Sequence, residues 1–127
     1  MQTIKELFCH PYKQTDIEPI LNLFHDTVHA INIKDYSQEQ INAWAPAVLD
    51  KVRWEKRLSE HFTYVVEINA KIVCFADMTQ DGSLEHFYVD KDFQRHGIAS
   101  LLLKRIEEKA QELGILVFMM LHGVLLY

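Results

Sequence analysis

The chain changes its hydrophobic period twice. Ile4 to Tyr12 is largely apolar and ends on Pro11, which reads as a strand. From Ile17 onward, Ile20, Leu21, Phe24, Val28 and Ile31 recur at threes and fours, one apolar helix face, with Thr15 or Asp16 as its expected N-cap. Ser37 followed by Gln40 forms a capping-box pattern and predicts a short helix limited by Pro46; a further helix is expected over Leu49 to Leu58. The period then shortens. His61 to Ile68, Lys71 to Met78 and Leu84 to Val89 are rich in β-formers and read as an antiparallel meander. Asn69-Ala70 is a plausible tight turn, and Asp81-Gly82 predicts a type I′ hairpin turn. A loop leads into a long helix, Gly97 to Leu113, with Gly114 placed for a left-handed C-terminal cap. Ile115 to Met120, nearly all apolar, reads as a buried strand. The order is a mixed α/β fold in a single domain over residues 1–127, its last strand–helix–strand crossover right-handed.

Composition narrows the function more than it narrows the fold. With 13 Lys and Arg against 18 Asp and Glu, the net charge of −5 argues against a nucleic-acid backbone as partner. The longest apolar run, Ile115 to Leu126, is too short for a membrane span, and Met1 to Cys9 lacks the apolar stretch of a signal peptide. A cytoplasmic protein with no membrane partner is expected. Cys9 and Cys74 sit in apolar runs and read as buried thiols. His25 and His29 are one helical turn apart, but no further ligand is visible, so no metal is expected.

The stretch that carries chemistry is the strand-to-helix loop. The segment Phe87-Tyr88-Val89 delivers the chain into Asp90 to His96, and a helix starts at once from Gly97. Gly97, Ala99 and Ser100 are small, so a ligand can approach the backbone. The helix start offers N–H groups and a partial positive charge, an anion site suited to a diphosphate. Neither a GxGxxG nor a GK[ST] spacing is present. The alternative at this point is an ordinary turn with a small-residue helix start.

Gln94-Arg95-His96-Gly97-Ile98-Ala99 resembles the [QR]-x-x-G-x-[GA] loop of the GNAT (Gcn5-related N-acetyltransferase) superfamily, with Val89, Phe93 and Leu101-Leu102 matching around it. Lys91 departs, since many members have proline there. Tyr36 to Pro46 resembles a segment of one bacterial subgroup, and the resemblance spans roughly residues 3 to 116. It implies a central, mostly antiparallel sheet flanked by helices. It also implies transfer of an acetyl group from acetyl-CoA to a primary amine of a small molecule or peptide, by direct attack in a ternary complex.

Residue by residue, the resemblance implies pantetheine along the backbone of Phe87, Tyr88 and Val89. It implies a cofactor loop of Gln94, Arg95, His96, Gly97, Ile98, Ala99 and Ser100, with the diphosphate on the N–H groups from Arg95 to Ser100. A proton acceptor is wanted near the thioester. Glu85 is the first candidate, on the face of Phe87 and Val89 by alternation, or else a plain solvated strand residue; His86 is the alternate. Asp77 on the neighbouring strand is a weaker candidate and a substrate-site residue. His29, Asp35, Tyr36 and Trp44 are expected to border the acceptor pocket. After about Leu116 the resemblance fades, and members normally continue with a helix and two more strands that often supply a proton-donating tyrosine. Tyr127 is not assigned that role. The expectation is self-association, such as a homodimer, through the apolar tail, with a catalytically weak CoA-binding module as the alternative to an active enzyme.

Overall fold

The computed structural model describes residues 7–31, 36–46, 49–94 and 97–114. The expected strand over Ile115 to Met120, the apolar tail, and Asp35, Arg95, His96 and Tyr127 lie outside the described residues.

The chain folds in the order β1 (Leu7–Pro11), α1 (Ile17–Ile31), α2 (Gln38–Trp44), α3 (Lys51–Glu60), β2 (Phe62–Ile68), β3 (Lys71–Met78), β4 (Leu84–Val89) and α4 (Ile98–Glu112). The strands form one antiparallel sheet in the order β1-β2-β3-β4. Alternation of side chains sorts two cores, one on each face. Val65, Ile72, Phe75 and Tyr88 pack against Ile20, Phe24 and Val28 of α1 and Leu58 of α3. Val66, Val73, Phe87 and Val89 pack against Ile98, Leu102, Ile106 and Ala110 of α4. The sheet is therefore covered by helices on both faces, which explains why almost every residue of β3 is buried.

The predicted capping box opens α2: Gln40 N–H donates to Ser37 Oγ at 3.1 Å, and Ser37 N–H donates to Gln40 Oε1 at 2.9 Å. Gly114 takes the left-handed cap after α4, with φ +68°. The start of α1 differs from expectation. Thr15 and Asp16 lie inside a single 3₁₀ turn, Gln14–Asp16, and the Asp16 carboxylate turns back to accept from Lys13 N–H at 2.8 Å.

Of the two hairpin turns, Asn69-Ala70 is the tight turn the sequence suggests, and Asp81-Gly82 departs from the type I′ turn expected there. At Asp81-Gly82 only Gly82 has positive φ, 95°. Gly82 N–H donates to Thr79 O, Thr79 N–H to Ser83 O, and Ser83 N–H to Thr79 Oγ1, a wider turn held by side chains. The two-residue turn with both φ values positive is Asn69 (51°) and Ala70 (68°). An alanine there places Cβ against the backbone, a cost of about 1 kcal/mol or more. Replacing Ala70 by glycine is expected to raise the unfolding free energy by about 0.5–1 kcal/mol, after the entropy glycine adds to the unfolded chain. Denaturant unfolding checks this; a lowered midpoint contradicts it.

Candidate functional site

Strand β4 organises the site, because its two faces and its end carry different chemistry. At its end the chain makes the loop that opens α4. Val89, Phe93, Gln94, Gly97, Ile98, Ala99 and Ser100 line one cavity of about 180 Å³. The sequence-predicted loop residues within the described chain are thus brought together. Gln94 Nε2 donates to Val89 O at 3.3 Å, which ties the loop back to the strand. Gly97 holds φ +76°, and a Cβ built there meets nothing within 4 Å, so the glycine serves the backbone turn rather than space. Helix geometry leaves the first N–H groups of α4, whose residues line this cavity, without intrahelical acceptors. A diphosphate fits that chemistry: small side chains, N–H groups free of helix partners and the positive end of a 15-residue helix.

Further back on β4 the register breaks. Asp77 faces His86, but Met78 faces Leu84, so Glu85 is an extra, unpaired residue in a β-bulge. Strict alternation from Glu85 to Phe87 therefore does not hold. Leu84, Phe87 and Val89 join the core beneath α4, while Glu85 stays half-buried at the bulge. His86 turns to the opposite face. There its ring lies 4.9 Å from that of Trp54 and 5.9 Å, edge-on, from that of Phe24.

Behind His86 sits Asp77, fully buried. Its two oxygens accept from two imidazoles: His86 Nδ1 to Oδ1 and His61 Nδ1 to Oδ2, each 2.7 Å. A carboxylate that is ionised only accepts, so both Nδ1 atoms carry the proton and both Nε2 atoms are left as acceptors, an assignment made from the network. Burial pushes the Asp77 carboxyl up, but the hydrogen bonds from His61 and His86 more than offset it and hold the group below its ordinary value. The Asp77 bond raises His61 above its ordinary value against partial burial, and the charges of Asp77 and Glu85 add to that rise.

His61 carries a pH signature. A histidine whose pKa is higher folded than unfolded stabilises the fold fully below its unfolded value, and the stabilisation fades as pH rises through the folded value. In thermal unfolding, the gap between wild type and His61→Gln is expected to be widest near pH 6 and to narrow toward pH 9, on the order of the imidazole range. A gap that widens with pH contradicts this reading of the pair.

His86 opens into a cavity of about 350 Å³ walled by Phe24, Leu49, Asp50, Arg53, Trp54 and Arg57. His61 borders a second cavity, of about 450 Å³, with Tyr12 and Lys109. The largest described cavity, about 570 Å³ between α1 and the β2–β3 turn, touches none of these groups. We place the site over His86 because convergent chemistry, and not volume, marks it.

None of the described residues expected at the acceptor border lines the cavity over His86. His29 Nε2 lies 2.6 Å from Ala45 O and stacks on His25 at 4.2 Å, so it ties α1 to the end of α2. Tyr36 is exposed, and neither His29 nor Tyr36 lines the cavity over His86. Asp77 is behind that cavity rather than in it. The side chain of Trp44 lies outside the described set.

A model of the acetyltransferase (GNAT) domain matches residues 32–122, which takes in the cavity over His86 apart from Phe24, the bulged strand and the loop. The chain belongs to the GNAT acetyltransferase family. It is 31% identical over 104 residues to the uncharacterized N-acetyltransferase YafP of Escherichia coli (strain K12), covering 82% of this chain and 67% of that protein. Its structure resembles a GCN5-related N-acetyltransferase from Rhodopseudomonas palustris, with a TM-score of 0.82, 25% identity, and coverage of 91% of this chain and 72% of the other. It also resembles the PaiA N-acetyltransferase of Thermoplasma acidophilum, a structure in complex with coenzyme A, with a TM-score of 0.79, 14% identity, and coverage of 87% and 75%. As a GNAT enzyme the chain is an acetyltransferase, drawing an acyl group from a CoA-linked donor. The fold agrees with the mixed α/β GNAT architecture expected from the sequence.

Proposed function

We propose that this GNAT enzyme transfers acetyl from acetyl-CoA to a primary amine bound over His86, by direct attack with both substrates present. The observation that carries the reading is a single strand. The loop cavity sits at its end and His86 lies three residues back from Val89, a distance of roughly 10 Å that a pantetheine arm bridges.

Acetyl-CoA, when bound, supplies an acetyl group activated as a thioester. The N–H groups at the start of α4 bind its diphosphate, and the bulge at Glu85 frees β4 backbone groups for the pantetheine amides. Among the expected proton acceptors the geometry favours His86 over Glu85. His86 Nδ1–H is held by a buried carboxylate, which leaves Nε2 as the acceptor toward the cavity, and Asp77 stabilises the imidazolium that forms. As the acceptor nitrogen bonds to the carbonyl carbon, the C–S bond breaks, the amine proton passes to His86 Nε2, and the departing thiolate takes a proton from solvent. Phe24 and Trp54 keep bulk water from the imidazole.

The test is the release of CoA thiol from acetyl-CoA in the presence of a panel of primary amines, with product mass confirming one acetyl group per amine. Amine-dependent release supports the reading. Hydrolysis at one rate regardless of amine contradicts it.

A further inference from the structure

The wall of the cavity over His86 inverts the charge of the rest of the molecule. The chain carries a net charge of −5, yet Arg53 and Arg57 both line this one cavity. They are four residues apart on α3 and so share a helix face. Among the described residues the lysine ion pairs join Lys51 to Glu18, Lys71 to Asp90 and Lys109 to Glu112, and neither arginine is in any ion pair. The one acidic group on the wall, Asp50, uses Oδ1 to accept from Arg53 N–H at 3.1 Å as the cap of α3. One ring touches both the imidazole and Arg57. Trp54 lies 4.9 Å from His86 and 5.8 Å from the Arg57 guanidinium carbon, and Phe24 packs on it at 4.8 Å. An acceptor whose nitrogen meets His86 thus shares its cavity with the aromatic rings of Phe24 and Trp54 and with the two arginines that line it.

We infer that the acceptor is a primary amine that also carries an apolar or aromatic body and a carboxylate, with Arg53 and Arg57 as the specificity-determining residues. A plain cationic amine gains nothing from two guanidinium groups and is repelled by them. A carboxylate gains charge-assisted, bidentate hydrogen bonds, and Arg is suited to them by its planar fork. The cavity, about 350 Å³, suits a small molecule of amino-acid size. The inference takes its reaction from the acetyltransferase reading above, but its binding claim stands apart from turnover.

The experiment compares matched amines with and without the carboxylate: L-phenylalanine with phenethylamine, and γ-aminobutyrate with propylamine. Wild type is expected to favour the carboxylated member of at least one pair in kcat/KM by about tenfold or more, the size of one charge-assisted contact. The double variant Arg53→Gln, Arg57→Gln is expected to bring that ratio toward one, mainly through KM. A binding arm measures thermal shifts by the N-acetylated form of each compound on CoA-saturated protein, with the same order expected. Equal or reversed preference overturns the inference while amine-dependent turnover keeps the acetyltransferase reading. A preference that survives in the double variant overturns the role of the arginines. If nothing is acetylated, an arginine-dependent preference in the binding arm sustains the cavity inference and counts against the reaction; no preference there overturns the inference as well.

Discussion

Replacing Asp77 by alanine is expected to lower the unfolding free energy by about 3–5 kcal/mol, the largest loss from any single substitution in this sheet. The carboxylate is fully buried in β3 and is the shared acceptor for His61 and His86. Its removal leaves two imidazole N–H groups facing a void between strands, and the void adds its own cost. Asparagine separates structure from chemistry. The amide keeps the shape and can accept from one imidazole, but its NH₂ must donate to the other, whose proton then moves from Nδ1 to Nε2. Where that imidazole is His86, the acceptor aimed at the cavity is lost. Asp77→Asn is therefore expected to cost well under half of the alanine loss in stability. It should still lower kcat by a large factor, on the order of 10²–10⁴, as wrong tautomers do in hydrolytic triads. In either arrangement the charge that stabilises the imidazolium is gone; denaturant unfolding and steady-state rates on the same preparations check both halves, and an asparagine variant with full kcat contradicts the part given to the Asp77 carboxylate in proton transfer.

Replacing His86 by glutamine is expected to lower kcat by about 10²–10⁴, the contribution of one positioned proton acceptor. Glutamine keeps a polar group near Asp77 and fills similar space, so the fold and acetyl-CoA binding should persist. The same substitution at Glu85 should have the smaller effect on kcat, because Glu85 lies at the bulge and outside the cavity over His86. Side-by-side kinetics of His86→Gln and Glu85→Gln decide between them. A larger kcat loss at Glu85 returns the role to the carboxylate.

The order of the described elements and the small-residue loop that opens α4 could be read from the chain because both rest on local rules. The 3.6-residue stripe of α1, the Ser37–Gln40 cap and the glycine before α4 each act within a few residues. The apparent errors arise where contacts between strands decide. Asp-Gly predicts a tight turn from intrinsic preference, yet Thr79 and Ser83 close a wider one; the tight turn expected at Asn69-Ala70 does form, in a strained conformation, because the register of β2 and β3 leaves only two residues to reverse the chain. One extra residue at Glu85 moves the face assignment of the whole start of β4, and nothing in Leu84-Glu85-His86 announces a bulge. No local pattern marks Arg53, Trp54 and Arg57, because only the packing of Trp54 against His86 gives that helix face a cavity; His61, just past the end of α3, joins the group only through Asp77. A signal for the buried carboxylate was present: Asp77 is the one acid in an otherwise apolar run from Ile72 to Met78, and a buried acid requires partners.

Thermal unfolding across an acetyl-CoA titration, with adenosine diphosphate as control, tests the central claim most directly. A ligand held by the folded chain alone stabilises it by RT ln(1 + [L]/Kd), about 2.7 kcal/mol at a hundredfold excess over Kd. The account predicts a saturable upward shift for acetyl-CoA, larger than for adenosine diphosphate. It also predicts a much reduced shift in Ser100→Glu, which sets a carboxylate in the cavity at the start of α4. A cooperatively unfolding wild type that shows no shift at millimolar acetyl-CoA, or a Ser100→Glu variant that shifts as wild type does, would contradict it.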